Sequence, residues 1–91
     1  MTNDQVNAVL EKLAEHFRTN GYAAVRCSPS VIEPGPAEAR RHGHWMAVEA
    51  WSMPAEQLEK KMRWLGFIQC IVWMLDHVSI DTLKTDNTEV K

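Results

Sequence analysis

Apolar side chains near the start of the chain recur at helical intervals: Val6, Val9, Leu10, Leu13, Ala14 and Phe17 fall on one face, and Glu11, Lys12, Glu15 and Arg18 on the other. The spacing predicts an amphipathic helix. Thr2 and Gln5 have the separation of a capping box, which sets the helix start near Asn3, and Asn20-Gly21 supplies a stop. From Tyr22 to Ser28 the pattern alternates, with Ala23, Val25 and Cys27 on one side, and this reads as a strand. Pro29, Pro34, Gly35 and Pro36 then mark a long connection reaching Gly43. Alternation returns from His44 to Ser52, where Met46, Val48 and Ala50 oppose Trp45, Ala47, Glu49 and Trp51, and predicts a second strand.

Ser52-Met53-Pro54 announces a long second helix, because proline is tolerated in the first turn and Glu56 and Glu59 favour the positive helix start. It is expected to run to about His77. Its second half is apolar nearly all round, with stripes Trp64, Phe67, Ile71, Met74 and Leu65, Ile68, Val72, Leu75, so burial nearly all round is expected. Ser79 caps a short last helix carrying Ile80 and Leu83, and residues 85–91 read as a polar, frayed tail. The expected fold is one α+β domain over residues 1–91: helix, strand, strand, helix, short helix, with an antiparallel β-hairpin packed on two helices.

Composition narrows the function. With 91 residues, 45% hydrophobic and 24% charged, the chain has the make-up of one globular domain. A net charge of −2 gives no excess of cations for nucleic acid, which remains a second-rank partner. No stretch has the length of a membrane span, and the start of the sequence lacks the basic and apolar regions of a signal peptide. Cys27 and Cys70 form no Cys-x-x-Cys pair, so neither a disulfide framework nor a zinc knuckle is expected, and a reducing cytoplasm is the default location.

Chemistry-bearing residues concentrate where the long connection meets the second strand. Arg40, Arg41, His42 and His44 form a basic cluster next to Trp45, with Trp51 further along. His42 and His44, together with Cys27 on a neighbouring strand, would begin a metal site, but a third and fourth ligand at recognisable spacing are missing and no metal is assigned. The same run would contact phosphate, with Trp45 or Trp51 for base stacking. Both cysteines read as packing residues, and the pairs Glu56/Glu59 and Asp81/Asp86 are explained by helix ends. No phosphate loop, nucleophile elbow or metalloprotease motif occurs, so catalysis and a cofactor are not expected. Aromatic and sulfur-bearing side chains exceed what one short helix and a hairpin can cover, which predicts a homodimer through the long helix or the second strand. Gly66, inside that helix, is read as permitting close approach of another helix.

Lys61-Met62-Arg63-Trp64-Leu65-Gly66-Phe67-Ile68-Gln69, followed by Val78-Ser79-Ile80-Asp81-Thr82-Leu83-Lys84, resembles a C-terminal segment of small uncharacterised phage and prophage proteins. The resemblance covers about a third of the chain and departs from the family pattern at Cys70, where that pattern has glycine. It implies an accessory protein that acts on host machinery or defences, and so favours binding of a host protein without catalysis. The contact residues expected from the loop and the aromatics themselves are Arg40, Arg41, His42, His44, Trp45 and Trp51, because loops offer variable side chains and aromatics dominate binding energy. A small nucleic-acid-binding regulator is the alternative.

Overall fold

The computed structural model describes residues 1–89 and contains helices only. They are α1 (Asn3–Thr19), α2 (Pro36–Ser52), the single 3-10 turn Ala55–Gln57, α3 (Leu58–Leu75) and α4 (Ile80–Glu89). Among the described residues there is no strand, so the α+β fold with a β-hairpin is overturned.

The first helix forms as its pattern requires. Thr2 Oγ1 accepts from the Gln5 backbone N–H at 3.2 Å while Gln5 Oε1 accepts from the Thr2 N–H at 2.7 Å, which closes the capping box. At the other end Gly21 adopts φ 85°, and the Tyr22 N–H reaches back to the Phe17 carbonyl at 3.0 Å. A left-handed glycine just past the last turn satisfies carbonyls the helix would otherwise leave open.

Both expected strands have a different fate. Residues Tyr22–Ser28 have no regular secondary structure and no second strand pairs with them; they form a strap across α2, held where the Val25 N–H donates to the Arg41 carbonyl at 3.2 Å and the Cys27 N–H donates to His42 Nδ1 at 3.0 Å. The second expected strand lies inside α2. Pro36 occupies its first turn, and Glu38 Oε1 accepts from the Gly35 N–H at 3.3 Å. Gly43, Met46, Ala47 and Ala50 are the buried positions of α2 beside His44, at intervals of three and four, so helical periodicity and the alanine-rich composition prevail over the local alternation.

The core joins one face each of α1, α2 and α3: Val6, Val9, Leu10, Leu13 and Phe17 meet Met46, Ala47 and Ala50, and Leu65, Ile68 and Val72. Close approach of α2 depends on Gly43, where a β-carbon would sit 3.0 Å from Phe17 Cζ and 3.2 Å from Ile71 Cδ1. Helix α4 starts with Ser79 Oγ accepting from the Thr82 N–H at 3.1 Å, and buries Leu83. Lys12 Nζ to Asp86 Oδ1 at 2.7 Å and Gln69 Nε2 to Asn87 Oδ1 at 2.7 Å fasten it to α1 and α3. The segment read as a tail is therefore helical through Glu89, and Val90 and Lys91 lie outside the described residues.

The long helix also differs from expectation. It begins at Leu58, after the 3-10 turn, and ends at Leu75, where Asp76 and the left-handed His77 (φ 56°) follow. It is not buried all round: Leu65, Ile68 and Val72 face the core, while Phe67, Cys70, Trp73 and Met74 are exposed. Cys70 is thus a surface thiol, not a packing residue. No described helix is long and apolar enough to cross a membrane.

Candidate protein-interaction surface

The strap, α2 and the first half of α3 bring cations and tryptophans together. Arg26, on the strap, places its guanidinium carbon 5.2 Å from the ring centre of Trp45. His42 stacks on the same indole at 5.5 Å, Trp45 lies 5.9 Å from Trp64, and Lys60 sets Nζ 5.4 Å from the Trp64 ring. Arg41 precedes Trp45 by one helical turn and so shares its side of α2. Among the described residues, none of Arg26, Arg41 and Lys60 forms an ion pair with a carboxylate. Arg26 and Lys60 lie against aromatic faces, which leaves their charge available to an incoming anion.

Beside this series an apolar groove of about 430 Å³ opens between the strap and α3, with Cys27, Val31, Pro34, Ala39, His42 and Phe67 among its walls. It continues into a second hollow of about 350 Å³ bounded by Pro36, Cys70, Ile71 and Met74. Ile32, 91% exposed, projects from the same loop. His42 links groove and tryptophans: its Nδ1 accepts the Cys27 N–H, which assigns the neutral tautomer with hydrogen on Nε2. Burial, reinforced by the charge of Arg26, lowers its pKa below the ordinary 6.5.

The six contact residues expected from sequence do not all share this surface. Arg41, His42 and Trp45 do. Arg40 is instead spent on the fold: Nε donates to Asp76 Oδ1 at 2.7 Å, Nη2 to the Leu75 carbonyl at 2.8 Å and Nη1 to the Tyr22 hydroxyl at 3.2 Å. These contacts, led by Asp76, raise its pKa further above its ordinary range. His44 is buried and donates from Nδ1 to the Tyr22 carbonyl at 2.6 Å. Trp51 is exposed over α1, beside Leu10, Ala14 and Val48. The helical turn of α2 separates His42 from His44, which a strand would have aligned. Arg26, Lys60 and Trp64 were missed because each is distant in sequence from the Arg40–Trp45 run, and only the packing of the strap and α3 on α2 brings them to it.

Cys27 Sγ lies 3.8 Å from Glu38 Oε2, but the imidazole of His42 is engaged with the Cys27 backbone, not with its thiol. His16 Nε2 donates to Asp76 Oδ2 at 2.8 Å, yet the other oxygen of that carboxylate is taken by Arg40, and among the described residues no hydroxyl or thiol bonds to the His16 imidazole. His42 and His44 sit on different sides of α2, and among the described residues no group of three or more His, Cys, Asp or Glu side chains is placed to hold a metal ion. Compared with protein-family models, curated proteins and solved structures, the chain has no match.

Proposed function

We propose that this chain is a phage-type accessory protein that acts without catalysis by binding a host protein, and that the contact is made by the cation–tryptophan series and the groove beside it. The phage context rests on the C-terminal resemblance. The observation that carries the binding mode is that Arg26, Trp45, Trp64 and Lys60 follow one another in contact, with no carboxylate among the described residues paired to either cation. Tryptophan and arginine dominate the energetics of protein interfaces, and an apolar groove next to them accepts a projecting side chain. The partner this chemistry fits is a protein with an acidic face and an apolar protrusion. Its carboxylates would replace water around Arg26, Arg41 and Lys60, while the protrusion enters between Val31 and Phe67.

A triple variant, Arg26→Glu, Arg41→Glu and Lys60→Glu, reverses the charge without removing core side chains. In a pull-down from nuclease-treated host lysate, the wild-type protein should retain one stoichiometric partner and the variant should lose it. The melting temperature of the variant should stay within a few degrees of wild type, because these are surface positions. Equal capture of the same protein by the variant would contradict the assignment. The same stack would also accept nucleobases. Recovery of nucleic acid from an untreated lysate, with no protein partner and an affinity falling steeply with salt, would replace the protein reading with the nucleic-acid one.

A further inference from the structure

Among the described residues, the outward face of α3 has no partner within the chain. From Trp64 to Leu75 there is no charged residue, and Met74, Phe67 and Trp73 are 69%, 55% and 48% exposed. Cys70 lies at the centre of this face, opposite the buried Lys61, Leu65, Ile68 and Val72. Gly66 is one turn away, and a β-carbon there would meet nothing within 4 Å, so its small size serves no contact inside the molecule. A glycine at an exposed mid-helix position weakens the helix and receives nothing in return from its own chain.

We infer that this face is the interface of a symmetric homodimer, in which α3 packs antiparallel on α3 of a second copy and the two-fold axis passes beside Cys70. The spacing of the face points to a second copy and not to an unrelated helix. Phe67 and Trp73 stand three positions to either side of Cys70, Gly66 and Met74 four, and Arg63 and His77 seven. An antiparallel pair centred on Cys70 therefore sets each of these residues level with its counterpart in the other copy. Large meets small at one of these levels: Met74, the longest projection, comes level with the partner's Gly66, where there is open space. Arg63 comes level with the carboxyl-terminal end of the partner's α3, whose negative dipole end attracts a cation. A stable pair buries roughly 800 Å² on each side. Phe67, Trp73, Met74 and the neighbouring Ile80 offer on the order of 450 Å² of that at their observed exposure, taking about 200 Å² for a large side chain. The polar remainder is available from Arg63, Gln69 and Lys84 around the rim.

The cation–tryptophan part of the proposed host contact is separate, since Trp45, Arg26 and Arg41 lie outside the α3 stripe, whereas Phe67, Cys70 and Met74 border both the groove and the dimer face. A dimer would present two copies of the cation–tryptophan surface. The test uses the full chain with Cys27→Ser, which leaves Cys70 as the single thiol. Sedimentation equilibrium should give the dimer mass, and a short bis-maleimide should join most of the protein through Cys70. Met74→Glu should weaken association by roughly tenfold or more while leaving the dilute protein's melting temperature unchanged, because the side chain makes no essential contact within one copy. Gly66→Leu should do the same and melt no lower than wild type. A protein that remains monomeric at high micromolar concentration would overturn the inference. So would a dimer that resists cross-linking at Cys70, or one indifferent to both substitutions.

Discussion

Lys61 is the residue whose behaviour is most tightly prescribed by its surroundings. Its side chain is 0% exposed, and its ammonium donates to Asn3 Oδ1 at 2.7 Å and to the Met53 carbonyl at 3.2 Å. Burial lowers its pKa below the ordinary 10.5, with the charge of Asp4 opposing the shift. The unfolded chain therefore holds this proton more tightly than the folded one, and stability contributed by this site rises as pH climbs toward 10.5. Lys61→Ala should cost about 2–4 kcal/mol in urea unfolding, through the cavity left by the buried stem, and should remove that alkaline rise. His42 gives the opposite experimental window with the same sign. Its folded pKa lies below 6.5, so its contribution to stability is complete above 6.5 and is lost as pH falls below it. Protonation also removes the acceptor for the Cys27 N–H. The protection factor of the Cys27 amide should fall as pH drops below 6.5 through the lowered pKa of His42, and an unchanged protection factor would count against this tie. Gly43→Ala should destabilise by about 1–2 kcal/mol, since the gain in helix propensity is smaller than the cost of pressing a methyl into Phe17 and Ile71.

At the scale of elements, what could be read from the sequence depended on whether the chain's signals were local and mutually consistent. For α1 the cap, the periodicity and the glycine stop agreed, and the helix spans Asn3–Thr19 as the pattern predicts. For α2 they conflicted. Trp45 to Trp51 alternates well enough for a strand, yet Gly43, Met46, Ala47 and Ala50 also mark a helical face, and Pro36 with Glu38 is a start signal masked by the neighbouring Pro34 and Gly35. A strand needs a pairing partner, and Tyr22–Ser28 bonds to α2 instead through Arg41 and His42. The candidate surface suffered accordingly: Arg41, His42 and Trp45 were legible, whereas Arg26, Lys60 and Trp64 join them only through tertiary packing. The cap of α4 gives a further prediction. Ser79→Ala removes the acceptor of the Thr82 N–H and should cost about 1 kcal/mol, visible as faster exchange through the first turn of α4 with α1 unaffected.

Across the whole molecule, one buried polar junction ties distant parts of the chain. Asp76, just past α3, accepts from His16 of α1 at 2.8 Å and from Arg40 of α2 at 2.7 Å, and Arg40 also reaches the Tyr22 hydroxyl at the root of the strap. Arg40→Ala leaves a largely buried carboxylate with one partner fewer, and should lower global stability by about 2–4 kcal/mol in denaturant unfolding. Such a variant would lose binding by losing its fold, so Arg40 cannot report on the host contact despite its place in the basic run. The residues that can are Arg26, Arg41 and Lys60, whose charges do not pair with carboxylates within the described chain. The most direct measurement is therefore the comparison of wild type and the Arg26→Glu, Arg41→Glu, Lys60→Glu variant in the nuclease-treated host pull-down, with the melting temperature of each recorded alongside. A single host protein retained by the wild type and lost by an equally stable variant is the predicted result. The same protein retained equally by both would show that the contact lies elsewhere on the molecule.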